Sequence, residues 1–396
     1  MRKQFTYISL LLILFYSQLF PQWVSQPSGT DARLSSVYFV NENSGWACGL
    51  NTVLRTTNAG STWLLYNLPG NHLSISFADN NSGWVCGDFG KIFKTTNGGV
   101  NWTLLNSGSN NNLTYISFIN QNTGIAAGWY NTVLRTTNGG SNWFSQQNPN
   151  LNHLLAGHLL NNDFNVITGG GGVVLKTTNA GISWDSLNVG YPNGLFTIQF
   201  LNQNTGWAFG CCGAVVKTIN GGLNWTQVTY LTWGMSLNSC KFINENIGWA
   251  SGEFGNIVRT TNGGASWDSL VSNTEEGLYS VAFINENTGW VVGNTGTILK
   301  TTNGGGPGFP IGIKNISAEI PSAYFLSQNY PNPFNPITRI KFDIPFPQGG
   351  MKRQTSNVRM VIFDILGSEI ATLVNEQLKP GTYEVEWNGN IYASGI

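Results

Sequence analysis

Charge is the scarcest property of this chain: only 10% of its residues are Asp, Glu, Lys or Arg, against about 25% in an average domain. The 19 basic and 19 acidic residues cancel, so no global field steers the protein toward nucleic acid or an anionic membrane. Histidine is nearly missing too. There are three in 396 residues, none with a Cys or His partner at metal-site spacing, which argues against a metal centre; no cofactor-binding motif is present either. The five cysteines form no disulfide framework. Cys48 and Cys86 fall at equivalent strand positions and read as small apolar fillers, and Cys240 falls on a strand. Only the adjacent pair Cys211-Cys212 stands outside the pattern. Long apolar runs are absent except for Ile8–Phe15, broken by Ser9, which is too short for a comfortable span. With Arg2 and Lys3 ahead of it, this run reads as an export signal over residues 1–22, cleaved within 17–22, and predicts a mature chain without a membrane span.

What the sequence has in plenty is Gly (49), Trp (15) and Asn. Gly and Asn supply tight turns and aromatic residues fill strands, so the composition is all-β. A repeat organises it. Asn58, Asn97, Asn138, Asn179, Asn220, Asn262 and Asn303 follow one another at 39 to 42 residues. Five positions after each of the first six stands a tryptophan: Trp63, Trp102, Trp143, Trp184, Trp225 and Trp267. Upstream lies Gly-Trp, as at Gly45-Trp46, Gly83-Trp84, Gly206-Trp207, Gly248-Trp249 and Gly289-Trp290, and before it an apolar strand such as Val37–Val40. A period near 41 holding four short strands is the size of a propeller blade. The seventh unit ends at Gly305 without its tryptophan, while Trp23 lies 40 residues before Trp63 with no blade of its own. Trp23 is therefore expected to lend the outer strand of the last blade, closing a seven-bladed ring and removing two edges. The fourth unit is degenerate: Asn165-Val166 replaces Gly-Trp, and Gly169–Gly172 reads as an insertion. No helix follows that Gly run, so it is not a phosphate loop.

The unit Thr56-Thr57-Asn58-Ala59-Gly60-Ser61-Thr62-Trp63 resembles the Asp-box of sialidase-type propellers, with Asn in the Asp place. The array from about residue 23 to 305 resembles the photosystem II assembly and stability factor family of propellers. Related arrays are widespread in exported proteins of non-photosynthetic bacteria, so the resemblance implies a fold and no photosynthetic partner. Residues repeated in every blade read as structural, the Asn building its turn and the Trp filling the blade. Arg55, Lys94, Arg135, Lys176, Lys217, Arg259 and Lys300, one per blade, read as solvated strand ends, or else as a positive rim for an acidic partner.

Function is expected where blades differ. Lettering the strands of a blade A to D, the B–C and D–A loops share one face. The B–C loops bring Leu50-Asn51, Asp88-Phe89, Trp129-Tyr130, Gly169–Gly172, Cys211-Cys212, Glu253-Phe254 and Asn294-Thr295, and the D–A loops Asp31, His72, His153, Tyr230, Trp233, Glu275 and Glu276. Candidate ligand-binding residues are Asp88, Trp129, Tyr130, Trp233 and Glu253, on a surface suited to a glycan or a protein; alternatively Trp129 and Trp233 merely cover the channel mouth. No catalytic residue is nominated. Asp88 and Glu253 lie on nearly opposite blades, too far apart for a glycosidase pair, so the function expected is a binding or scaffold module, with a sialidase-like hydrolase or a purely structural component as alternatives.

From Gly306 the composition shifts, and residues 306–325, with Pro307, Pro310 and Pro321, read as a linker. Residues 326–396 alternate as a small β-sandwich. Asn329-Tyr330-Pro331-Asn332-Pro333-Phe334-Asn335-Pro336, with Val361–Gly367 and Gly381–Trp387, closely resembles the C-terminal sorting domain that type IX secretion machinery recognises. That resemblance implies secretion or display at the cell surface. The family pattern continues past Ala393-Ser394-Gly395-Ile396 with an aromatic and a basic strand, so a truncated domain is expected.

Overall fold

The computed structural model describes residues 23–149, 152–191, 193–230, 236–306, 309–311, 314–317, 319–332, 337–345, 356–363 and 369–388. The export signal lies outside them.

Each repeat unit folds as an antiparallel four-stranded blade, and seven blades form a β-propeller. In blades 1 and 2 the strands run on into a single six-stranded sheet, because Leu64–Phe77 serves as strand D of the first and strand A of the second. The ring closes as the orphan Trp23 requires. Val24–Ser25 pairs antiparallel with Ile298–Thr301, Val24 opposite Lys300 and Ser25 opposite Leu299, and Trp23 is buried against Phe283. Residues 170–172 are no insertion. They occupy the same short turn as Asp88–Gly90 and Cys211–Gly213, at equal repeat length.

The turn asparagines work as the sequence implies. In blade 1, Asn58 Oδ1 accepts the Thr62 N–H at 2.9 Å and the Thr56 hydroxyl at 3.0 Å, while Thr56 Oγ1 accepts the Gly60 N–H at 2.9 Å. The hydroxyl–Asn contact recurs at Asn97, Asn138, Asn179, Asn220, Asn262 and Asn303. Asn rather than Asp adds a donor: Nδ2 of Asn58, Asn179 and Asn262 bonds the hydroxyl four residues on.

Between blades an aromatic relay does the packing. The B-strand indoles Trp46, Trp84, Trp207, Trp249 and Trp290 each stack on the strand-A Phe of the following blade, centroids 3.5 to 3.9 Å apart. In six blades the strand-A Phe, these five and Phe200, meets the D-strand Trp of its own blade edge-on at 5.8 to 6.1 Å, Trp23 serving the last. The same B-strand indoles donate Nε1–H to the next blade's turn, as Trp46 to the Gly98 carbonyl at 2.8 Å and Trp249 to Gly304 at 2.9 Å. Glycine precedes each of these indoles because the Phe ring lies on it: a Cβ at Gly83 would overlap the Phe77 ring.

Five of the seven basic residues of strand C, Lys94, Lys176, Lys217, Arg259 and Lys300, are neither a free rim nor solvated ends. Lys94, Lys217, Arg259 and Lys300 lie over the B-strand indole of their own blade at 4.9 to 5.7 Å. Lys176 and Lys217 reach on to the carbonyls of Gly221 and Gly263 in the next blade at 2.7 and 3.2 Å. They are clasps between blades, a role invisible in one unit because the acceptor belongs to its neighbour.

The relay fails on both sides of blade 4: Val166 stands for the indole toward blade 5, and the seam with blade 3 departs further. Blade 3 has Ile125 for the stacking Trp, and blade 4 has Leu159 for the Phe and Asn165 for the Gly beneath it. Asn165 is buried with neither amide atom partnered among the described residues, beside a crevice of about 10 Å³ lined also by Ile125, Arg135 and Leu159. The two replacements explain each other, since Asn fits only where Phe is missing. Leu159→Phe alone and Asn165→Gly alone are each expected to destabilise. The double variant is expected to recover by about 1–2 kcal/mol relative to the sum of the singles. Additive losses in urea unfolding would refute the pairing.

Within the stretch read as a linker, Phe309–Ile311 adds a fifth strand to blade 6, with Trp267 opposite Ile311, and Lys314–Ser317 pairs with Gly381–Asn388. Gly381–Asn388 also pairs with Ile337–Ile344, which carries Phe325–Leu326 at its other side. Ser356–Phe363 and Glu369–Leu378 form a second sheet. Ile340, Phe342, Ile344, Tyr383 and Val385 of the first pack with Val374 and Leu378 of the second, the arrangement of a sandwich. Asn329 and the Pro331 carbonyl both bond the Thr338 hydroxyl at 2.9 Å, which ties the start of the Asn-Tyr-Pro motif to the sheet.

Candidate functional site

Seven short B–C turns define one face of the ring, and the first left-handed residue at each tip is Asn51, Phe89, Tyr130, Gly171, Cys212, Phe254 or Thr295, followed in all but the first by a second at Gly90, Asn131, Gly172, Gly213, Gly255 or Gly296. Gly or Asn is the ordinary occupant of that conformation, and an aromatic ring there is a local strain. Three tips nonetheless carry one, and all three rings are largely exposed: Phe89 at 72%, Tyr130 at 69% and Phe254 at 65%. Neither the turn nor the core requires them, which marks the face for contact with something else.

The D–A loops brace these tips. On blade 3, Trp129 and Tyr130 pack against His153 with centroids 5.2 and 5.0 Å apart, and the Tyr130 N–H donates to His153 Nδ1 at 3.1 Å. That bond leaves the ring hydrogen on Nε2. On blade 2 the Phe89 N–H donates to Asn112 Oδ1 at 2.9 Å. Asp88 accepts from Asn71 Nδ2 at 3.1 Å, Asn71 accepts from Arg33 at 3.1 Å, and the Arg33 guanidinium lies 5.6 Å over the Tyr279 ring. This polar chain joins blades 7, 1 and 2. It borders a cavity of about 60 Å³ lined by Asn71, His72, Asp88, Phe89 and Lys91. On blade 6, Glu253 accepts the Ser236 N–H at 3.2 Å beside exposed Phe254.

Of the residues expected here, Asp88, Trp129, Tyr130 and Glu253 lie on this face, and Trp233 lies outside the described residues. Asp88 and Glu253 are each engaged in their own blade's loops rather than converging. His72 is no surface ligand: it is buried, its Nε2 lies 2.8 Å from the Leu68 carbonyl, and burial lowers its basicity. Phe89 and Phe254 complete the set. Each stands between an acidic residue and glycine, as Asp88-Phe89-Gly90 and Glu253-Phe254-Gly255, a signal readable in the repeat once the tip position is known.

A larger hollow, about 790 Å³, lies between the C-terminal sheets and is walled mainly by apolar side chains such as Phe325, Phe342, Val358, Met360 and Phe363. With few polar groups converging on it, the hollow is an incompletely covered core rather than a reaction site.

A family model described as photosynthesis system II assembly factor YCF48 matches residues 20–109 and 183–275. Among solved structures, YCF48 bound to D1 peptide is 20% identical, with a TM-score of 0.62, 71% of this chain and 97% of that one being covered. YCF48 from Cyanidioschyzon merolae is 19% identical at a TM-score of 0.61, covering 71% and 98%. Virginiamycin B lyase from Staphylococcus aureus is 14% identical at 0.63, again covering 71% and 98%. At these identities the likeness establishes the propeller fold. No curated protein matches the chain.

Proposed function

We propose that this chain is an exported, non-enzymatic propeller that binds a polypeptide segment across its B–C and D–A face, and that its C-terminal sandwich is the address read by type IX secretion machinery. The observation that carries the binding reading is the set of exposed rings Phe89, Tyr130 and Phe254 held in left-handed backbone. Aromatic rings bury area at little entropic cost, while the Asn-rich rim offers amides to a peptide backbone. A propeller of the same fold, YCF48, has been solved with a D1 peptide, which supports a peptide as the class of ligand. The sorting reading rests on the Asn-Tyr-Pro-Asn-Pro-Phe-Asn-Pro motif leading into a sandwich.

The same fold in virginiamycin B lyase keeps a second reading in play. Against it, none of the seven inner strands, 34–39, 72–77, 113–118, 154–159, 195–200, 237–242 and 278–283, carries a carboxylate. Several of their polar side chains stitch neighbouring blades together, as Ser239 Oγ accepting the Val281 N–H at 3.1 Å and Gln199 accepting the Phe242 N–H at 2.7 Å.

The test is a screen of the full chain on peptide and glycan arrays, with turnover assays on every ligand found. Tyr130→Ala and Phe89→Ala are each expected to weaken peptide binding by roughly tenfold or more, the cost of one buried aromatic anchor. Ile182→Ala, an exposed change on the opposite face, should leave binding as it was. Glycan binding alone would replace the peptide reading, and turnover of a bound ligand would make the protein an enzyme.

A further inference from the structure

The tip of blade 5 differs from the rest in chemistry. Strand Gly206–Gly210 ends in Cys211-Cys212, and Cys212 occupies the left-handed tip position with φ 57°. Cys212 is exposed and Cys211 half-buried. Their Sγ atoms are 3.3 Å apart, well beyond a bonded pair at about 2.05 Å, so the tip presents two thiols side by side. The Tyr191 hydroxyl backs them, donating to the Cys211 carbonyl at 2.9 Å and lying 3.6 Å from Cys211 Sγ. Asn193 Nδ2 donates to the phenol oxygen at 3.3 Å and holds it in place. The other three thiols, Cys48, Cys86 and Cys240, are buried, and burial raises their ionisation well above the ordinary range. Among the described residues no His, Asp or Glu joins the pair to make a cluster of three. Such an all-sulfur pair is a poor host for hard or octahedral cations and a good one for soft, low-coordinate centres.

We propose that Cys211 and Cys212 form a chelating dithiol site for a thiophilic metal or metalloid, of the class of copper(I) and trivalent arsenic. With an organic arsenic(III) oxide, two S–As bonds form while the As–O bonds break. The two thiol protons leave with the oxygen as water, and nothing is oxidised or reduced. Binding through both sulfurs releases the thiol protons, so affinity rises with pH.

The experiment uses the full chain, reduced and desalted, titrated with phenylarsine oxide in the presence of excess monothiol and read by intact mass and by the count of reactive thiols. One phenylarsine per chain is expected, with loss of the two reactive thiols. Cys212→Ser, an exposed and isosteric change, should bind roughly 100-fold more weakly, since the second sulfur acts at high effective concentration. Copper(I) delivered from a chelating buffer should block the adduct. Failure of the wild-type chain to form it, or its persistence in Cys212→Ser, overturns the proposal. So would a chain isolated two mass units light with neither thiol reactive, which would make the pair a vicinal disulfide.

Discussion

Trp249→Ala should cost about 3–5 kcal/mol of unfolding free energy, the range for truncating a fully buried tryptophan. Three contacts go at once. The indole stacks on Phe283 with centroids 3.7 Å apart, lies under the Arg259 guanidinium at 5.5 Å, and bonds the Gly304 carbonyl at 2.9 Å. The first and last belong to blade 7, so the change attacks the junction between blades rather than the interior of blade 6. Trp249→Phe separates these effects. It keeps a ring over Phe283 and loses the N–H, and should cost about 1–3 kcal/mol, the desolvation penalty of an orphaned carbonyl plus a small void. Urea unfolding of the full chain measures both. A loss below about 1 kcal/mol for Trp249→Ala would mean that the relay follows the packing instead of producing it. The contrast with the seam between blades 3 and 4 sharpens the point, because nature has already removed the stack there, at Ile125 and Leu159, and the ring still closes.

Trp23→Ala is expected to destabilise by a similar amount, about 3–5 kcal/mol, with a different local signature. Trp23 is 1% exposed and meets Phe283 edge-on at 5.9 Å, and the strand behind it supplies the outer edge of blade 7, with Gln26 N–H bonded to the Ile298 carbonyl at 2.8 Å. No covalent connection holds that strand to its blade. Weakening it opens the ring where its two ends meet. Amide exchange should therefore accelerate first in Ile298–Thr301 and Gly289–Gly293, while the B strands of blades 2 and 3 keep their protection. Trp63→Ala, the equivalent change in blade 1, leaves the ring covalently bounded and should not show this selectivity. Exchange that rises evenly around the ring in both variants would sink the closure argument.

Much of this was legible in the residues. A 39-to-42-residue period, Asn and Gly at fixed turn offsets, an orphan Trp at the start of the array and a missing one at its end dictate strand, turn, blade count and closure, the strand and turn signals being local requirements repeated seven times. The C-terminal alternation likewise specifies strands. What one unit cannot encode is its neighbour. The stacking of Trp46 on Phe77, the clasp of Lys176 on Gly221 and the exchange of Phe and Gly for Leu159 and Asn165 all join residues about a blade apart or paired across a ladder. Each side chain alone looks like an ordinary strand residue. The same holds for the candidate site. Asp88 and Glu253 look like free acids in sequence, yet Asn71 and Ser236 from the D–A loops engage them. Phe89 and Phe254 look like core residues until the turn carries them outward. Local sequence determined the blades, since a turn or a strand is settled within a few residues. Only the tertiary structure decided which side chains face a partner, since that depends on where the ring places each tip against the loops of the next blade.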